Sequence, residues 1–434
     1  MVDARTPLDG LTDDAHGHPA YRALEPRDRA LVRAVVLASL RHRIKLDAVI
    51  AHRLERALPA GARALEHHLH VGAAQVLLLD VPDHAAIDLA VEACRSDPRA
   101  RRFANLANAV LRRLSRERAR IEAWWSTRPH ALPDWLADAL IEAYGTERAA
   151  AMTAMLAHEA PLDLTARAVP ERVAARMAEG GAEPVSVLAM GTVRCGAVSG
   201  PIPDLPGFEG GEWWVQDAAA ALPARLVGAR PGLRVLDLCA APGGKAAQLA
   251  ATGAAVTAVE KSASRLRRLR SNLERLDLAA ELVEADALAL EPDAVGGPHD
   301  AVLLDAPCSS TGTIRRHPDV AWTKTADDVA TLAALQSRLL EAAARHVAPG
   351  GRLVFANCSL LPVEGEAVAD GFLAARPDFA ADPVDWRELG DDEAALSPMV
   401  QGGRLRATPE MLPAPTPRMS GMDGFFAARF VRRR

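Results

Sequence analysis

Val235-Leu236-Asp237-Leu238-Cys239-Ala240-Ala241-Pro242-Gly243-Gly244-Lys245 is the stretch that decides how the chain reads. An apolar run ends in a Pro-Gly-Gly turn, and residues 246–251 continue it with the composition of a helix's first turns. Strand, glycine-rich turn and helix start together place backbone N–H groups against a ligand, and glycine lets that ligand come close to the main chain. The same pattern also serves as a tight strand-to-helix connection. The neighbouring segments decide between the two.

Downstream the chain alternates. Strand-like runs at 234–238, 255–259, 280–283, 301–304 and 351–356 are separated by helical patterns at 245–251, 262–276, 327–346 and 364–375. That alternation predicts an α/β fold with a parallel, doubly wound sheet. After Arg376 the chain reads as irregular until a closing strand at 424–430. Ligands bind such sheets at the carboxyl ends of their strands. The candidate residues fall there: the turn at 239–245, Glu260, Asp286, the run Leu304-Asp305-Ala306-Pro307-Cys308, and Phe355-Ala356-Asn357-Cys358. Glu260 lies 23 residues after Asp237, about the separation at which an acid accepts hydrogen bonds from both hydroxyls of a ribose. It also reads as a surface acid paired with Lys261 or the arginines that follow. Asp286 can bond an exocyclic adenine amine, or cap a helix.

Cys308 and Cys358 end two neighbouring strands on the cofactor edge, an arrangement that packing does not call for. A thiolate there is a soft nucleophile. Such a nucleophile suits addition to C6 of a pyrimidine, which makes C5 electron-rich and ready for an electrophilic methyl group. The three other cysteines, Cys94, Cys195 and Cys239, give neither a disulfide framework nor a zinc spacing.

The 434 residues allow two or three domains. With 49% hydrophobic and 25% charged residues the composition is that of a globular protein, and no apolar run reaches a membrane span. The start Met-Val-Asp-Ala-Arg lacks a secretory h-region, so the expected compartment is the cytoplasm. Net charge is −5, but residues 1–125 carry 20 Lys+Arg against 16 Asp+Glu. A locally basic segment accommodates RNA phosphates, and it is equally an ordinary solvated surface.

Residues 1–20 read as frayed. Helical periodicity follows at 24–40, 46–58, 63–79, 84–94 and 103–118, an all-α unit. Its basic end, Arg112, Arg113, Arg116, Arg118 and Arg120, is either a polar helix face or an RNA-facing patch. From Ile121 to Gly228 lie five of the seven tryptophans, which suit a core or a stacking platform. Here the reading is a helical connector (133–144, 147–156) and a small α+β subdomain with strands near 162–168 and 192–198. Gln216 and Asp217 either overhang the active site or cap the helix that begins after them.

Two sets of phrases carry a resemblance. Pro-Arg-Asp-Arg-Ala-Leu (26–31), His-Leu-His-Val-Gly-Ala-Ala-Gln-Val-Leu-Leu-Leu (68–79), Val-Pro-Asp-His-Ala-Ala-Ile (81–87) and Asn108-Ala109-Val110-Leu111-Arg112-Arg113 resemble the NusB-like RNA-binding helical domain. The turn at 237–245, Leu304-Asp-Ala-Pro-Cys-Ser309, Ile314-Arg-Arg-His-Pro-Asp-Val-Ala-Trp322, Asn357-Cys-Ser-Leu-Leu-Pro362 and Asp423-Gly-Phe-Phe426 resemble the RsmB/Sun family of rRNA cytosine-5 methyltransferases. The resemblance runs over nearly the whole chain. It implies a NusB-like domain at 1–122, a connector and α+β subdomain at 123–228 and a Rossmann-like methyltransferase domain at 229–434.

It also implies S-adenosyl-L-methionine as cofactor, small-subunit ribosomal RNA as partner, no metal, no membrane and a monomer. Cys358 would attack C6, and Cys308 would help remove the C5 proton and release the enzyme. Asp305 would hold and protonate the cytosine edge near N3/N4 and border the methionine end of the cofactor, with Lys245 near the site. Cys239, Ala240, Ala241, Pro242, Gly243, Gly244, Lys245, Glu260, Asp286 and Asp305 would hold the cofactor. The family tends to have Thr where this chain has Asn357, and often Asp where it has Glu260. Neither a Glu-Asn-Val motif of DNA cytosine methyltransferases nor the Pro-Pro loop of amine methyltransferases occurs here.

Overall fold

The computed structural model describes residues 1–13, 16–59 and 61–434. The reading of 1–20 as frayed thus falls partly on Asp14 and Ala15, which lie outside the described residues. Around them, Leu8–Leu11 and Pro19–Arg22 form single helical turns.

The residues group into two compact units, one of 1–157 with 317–324, the other of 158–316 with 325–434. The units divide the chain differently from the three segments that the resemblance implies. Residues 118–157, assigned mostly to the connector, group with the first unit. So does 317–324, a piece of the expected methyltransferase domain. Within the first unit Trp322 donates its indole N–H to the Leu40 carbonyl (2.9 Å), and the Arg43 guanidinium lies 4.9 Å from its ring centre.

The first unit is helical: Pro26–Arg41, Arg43–Ala51, Arg63–Leu78, Asp83–Ser96, Ala104–Arg116 and Arg118–Ser126, followed by Asp134–Tyr144 and Thr146–Leu156. Leu46, Leu65, Leu69, Leu111 and Leu114 are fully buried in its core. The second expected helix stops at Ala51 rather than Leu58, and Phe103 stands in a separate 3-10 turn.

The second unit holds two sheets. In the small one, β1 (Leu162–Ala166), β2 (Val185–Val187), β3 (Thr192–Cys195) and β4 (Trp213–Val215) pair antiparallel in the order β2-β3-β1-β4. Trp213 and Trp214 are buried, so these two tryptophans serve packing. The large sheet contains β5 (Arg234–Leu238), β6 (Ala255–Glu260), β7 (Glu281–Glu284), β8 (His299–Asp305) and β9 (Val347–Asn357), all parallel in the order β7-β6-β5-β8-β9. Alternation along the strands fills two cores. Val235, Leu303 and Val354 face Leu222 and Leu249 on one side. Leu236, Leu304 and Phe355 face Leu340 and Phe372 on the other.

The expected irregular tail is a correction. β10 (Phe379–Ala381), β11 (Val400–Gln401) and β12 (Arg404–Ala407) occupy it, and β13 (Phe425–Arg432) joins β9 antiparallel. Strands of two to four residues carry no readable period. In β12 the alternation is hidden by Arg406, which is 1% exposed because Glu366 and the Ser359 carbonyl bind its guanidinium.

At the amino ends of β8 and β9 two buried histidines meet: His299 donates its N–H to the His346 carbonyl at 2.7 Å. Burial, the Arg234 charge and His346 push His299 down to about 4, and burial lowers His346 as well. The folded chain therefore keeps His299 neutral between pH 4 and 6.5, where the unfolded chain takes up a proton. Stability is expected to fall as pH drops through that window. A His299→Leu variant is expected to lose less, with a difference in Tm shift on the order of 5 °C between pH 7.5 and 4.5 by calorimetry.

Candidate active site

Beyond Leu238 the chain turns at once. Cys239 adopts a left-handed backbone (φ 61°). Gly243 does so too (φ 108°) as N-cap of the helix Gly244–Ala251. A Cβ at Gly243 would be strained and would press to 3.2 Å from Leu269, so this step of the turn requires glycine.

A cavity of about 600 Å³ opens at the carboxyl ends of the parallel strands. Cys239, Ala241, Glu260, Asp286, Asp305, Cys308 and Cys358 line it. The fold thus brings together residues spread over 120 positions. Ala240, Pro242, Gly243, Gly244 and Lys245 are not part of its wall.

Glu260 is 3% exposed, not the surface acid of the alternative reading. Its Oε1 accepts the Ser262 N–H at 2.9 Å. Its Oε2 lies 3.2 Å from the Arg265 guanidinium but has no aligned hydrogen-bond donor. A buried oxygen on a cavity wall with acceptor capacity to spare fits a ribose hydroxyl. Asp286 lines the cavity and accepts the Leu288 N–H at 3.0 Å, within a turn rather than at a helix start, and Lys261 Nζ at 2.7 Å. Lys261, then the Leu288 N–H, hold its carboxyl below the usual range. Cys239 is an inert wall. Burial and the charges of Asp305 and Glu260 push its thiol up to about 12.

Asp305 ends β8 and receives Lys245 Nζ at 2.7 Å. The same ammonium sits 4.8 Å from the centre of the Phe425 ring. Beside this pair is a residue the sequence reading passed over. Asp237 is fully buried, neither carboxyl oxygen has a hydrogen-bond partner, and burial followed by the Asp305 charge pushes it up to about 8. It is a neutral acid at pH 7. The signal available was a lone carboxylate inside an apolar strand, Val-Leu-Asp-Leu.

The two thiols meet: Cys308 Sγ and Cys358 Sγ are 3.4 Å apart. The hydrogen bond to Cys358, then burial, then the charges of Cys358 and Glu364 push Cys308 well above the ordinary thiol range. Cys308 is the partner that keeps its proton. The loops carrying the thiols are fastened to each other by the Gly312 N–H on the Cys358 carbonyl (2.9 Å), and the Gly424 N–H on the Gly312 carbonyl (2.8 Å) ties the first of them to the segment before β13. A Cβ on Gly312 would lie 2.2 Å from the Gly424 carbonyl oxygen, so side chains are excluded at this crossing. Asn357 brackets Cys358: its Oδ1 accepts the Ser359 N–H at 3.0 Å and its Nδ2 donates to the Glu364 carbonyl at 2.7 Å.

Gln216 and Asp217 do not line the cavity. Asp217 caps the helix Ala218–Leu226 through the Ala219 N–H (2.8 Å) and receives Arg316 at 2.7 Å. Gln216 bonds Thr165, Trp214 and Gln248. The predicted Arg patch is only partly free. Arg113 and Arg120 share Glu117, and Arg118 pairs with Asp83.

The family model for 16S rRNA methyltransferase RsmB/F matches residues 225–431, and that of the NusB family matches 6–116. The ribosomal RNA small subunit methyltransferase B of Xanthomonas campestris pv. campestris is 42% identical over 372 residues, covering 83% of each chain. That of Xylella fastidiosa (strain Temecula1) is 38% identical over 94% of this chain and 90% of its own. Among solved structures, PH0851 superposes with a TM-score of 0.73 at 23% identity, covering 94% of this chain and 91% of that one, a likeness of fold.

Proposed function

The chain belongs to the RsmB/F family of 16S rRNA methyltransferases, and from that premise we propose that it methylates C5 of a cytosine in small-subunit ribosomal RNA through a covalent Cys358–C6 adduct. S-adenosyl-L-methionine is the methyl donor and, when bound, supplies an electrophilic methyl group. The observation that carries the reading is the pair of sulfurs 3.4 Å apart beside Asp305 on one cavity wall. A methyltransferase that used no covalent adduct would have no work for two thiols there.

Glu260 would receive the ribose hydroxyls, and Asp286 with Cys239 and Ala241 of the turn would complete the cofactor cradle. Removing a charged acceptor from such a bond costs about 1.5–3 kcal/mol. Glu260→Ala is expected to raise the dissociation constant for S-adenosyl-L-methionine by about tenfold or more, read by titration calorimetry, with kcat little changed at saturation.

Cys358 adds as a thiolate to C6, forming the C–S bond. The electron pair displaced from C5=C6 moves to N3, which takes up a proton delivered through Asp305 from the Lys245 ammonium and returns it when the adduct breaks down. C5, now electron-rich, takes the methyl group. Once the Cys358 sulfur is bonded to carbon, its hydrogen bond and its charge no longer hold the proton on Cys308, while burial and the Glu364 charge remain. Cys308 can then cede that proton to solvent and accept the one on C5. The C5–H electrons restore C5=C6, the C6–S bond breaks, and Cys358 leaves as thiolate. The target base has to leave its stack to reach both sulfurs.

Of the functional parts, 1–122 serves RNA docking, with Arg112 and Arg116 exposed arginines of its basic end that form no ion pair among the described residues, 123–228 connects, and 229–434 is catalytic. The working form is a cytoplasmic monomer without metal. The test is direct. Small-subunit rRNA from a strain lacking the gene is expected to be missing 5-methylcytosine at one position, and the purified protein is expected to restore it. A label on another atom or base would refute the cytosine-C5 assignment.

A further inference from the structure

The carboxylate of Glu364 has no part in the chemistry above, yet it joins the two loops that do. Glu364 stands in the turn before the helix Glu366–Ala375 and is 0% exposed. Its Oε1 accepts the Ser309 N–H at 2.8 Å and the Gln336 amide at 3.0 Å. Its Oε2 accepts the hydroxyls of both Ser309 and Ser359. Ser309 follows Cys308 in the chain and Ser359 follows Cys358. The Glu364 backbone carbonyl holds Asn357, the residue before Cys358. Gln336 also donates to the Pro307 carbonyl at 3.1 Å, the residue before Cys308. Every residue flanking either thiol is thus tied to Glu364 directly or through Gln336.

Among the described residues no cation pairs with Glu364; all its donors are neutral. A buried carboxylate without a counter-ion is costly, and neutral residues of similar size would fill the space more cheaply. Its four hydrogen bonds to an anionic acceptor are short and directional, which suits them to fixing position. Its charge also lies close enough to Cys308 to favour the protonated thiol.

We propose that Glu364 is a positioning residue: its buried carboxylate clamps the Cys308 loop to the Cys358 loop and sets the approach of the two sulfurs. The proposal rests on the two-thiol reading of the site. Glu364 touches neither thiol within hydrogen-bond distance, so its effect acts through Ser309, Ser359 and its field.

Glu364→Gln keeps the size and most of the bonding, because the serine hydroxyls can rotate to accept. A purely structural Glu364 predicts wild-type behaviour for it. The proposal predicts a kcat about tenfold or more below wild type on rRNA, with the KM for RNA and the affinity for S-adenosyl-L-methionine unchanged. A second readout needs no RNA. In a Cys358→Ala background, the pH midpoint for alkylation of Cys308 by iodoacetamide is expected to fall by about one unit when Glu364→Gln is added. Wild-type kcat together with coincident alkylation profiles would overturn the proposal. Failure of the cytosine-C5 reading is distinguishable: it leaves the alkylation shift in place and removes activity on cytosine from the unmutated protein. If Glu364→Gln does not fold, Ser359→Ala removes one donor to the same carboxylate and is expected to lower kcat about tenfold. Full kcat in that variant overturns the clamp.

Discussion

Cys358→Ala is expected to lower kcat for methyl transfer by about four orders of magnitude, while binding of S-adenosyl-L-methionine stays close to wild type. Cytosine C5 is a poor nucleophile, and no other group in the cavity can add to C6 from the same place. Cys308 lies 3.4 Å away but keeps its proton, so it does not substitute. Cys239 lines the same cavity, but burial and neighbouring carboxylates push its thiol up to about 12. The residues proposed to hold the cofactor do not include Cys358, which is why binding is spared. Single-turnover transfer of labelled methyl to unmethylated rRNA measures the loss. Activity within tenfold of wild type would show that Cys358 is not the nucleophile.

Cys308→Ala is expected to do something different: the first methyl transfer proceeds and the enzyme then stays bonded to its RNA. Formation of the C–S bond asks nothing of Cys308. Release does, because the C5 proton has to leave before the C6–S bond can break. The loss of Cys308 removes the thiol paired with Cys358 and leaves the adduct without that base. A denaturation-stable protein–RNA complex approaching one RNA per enzyme is the expected product, with turnover after the first cycle slowed about a thousandfold by the loss of acid–base assistance. Loss of activity with no adduct, in a preparation that still binds cofactor, would place Cys308 in an earlier step.

Much of this site can be read in one dimension because α/β sheets put chemistry at strand ends. β5, its turn and the helix Gly244–Ala251 lie within a residue of their expected limits, and Glu260, Asp305 and Cys358 fall at or just beyond the ends of β6, β8 and β9. Each of those segments is long enough for its period to show. Three things were not legible, each for a physical reason. β10, β11 and β12 are too short to display alternation, and Arg406 breaks the pattern with a buried guanidinium whose partner, Glu366, lies 40 residues away. The place of 317–324 among the N-terminal helices depends on contacts such as Trp322 with Leu40, across 282 positions. Asp237 and Glu364 look like a strand acid and a turn acid in sequence. What distinguishes them is complete burial, and for Glu364 the convergence of Ser309, Gln336 and Ser359 on one carboxylate. Asn357 uses both ends of its amide around Cys358, a role its place in the sequence does not disclose.

The account turns on which sulfur bonds to C6, and one measurement reads that bond. Small-subunit rRNA carrying 5-fluorocytosine at the target position has no C5 proton to give up, so methylation leaves the enzyme attached. After digestion, mass spectrometry of the linked peptide is predicted to place a methylated fluorocytidine on Cys358. Attachment at Cys308, or methyl transfer with no attached peptide at all, would contradict the mechanism.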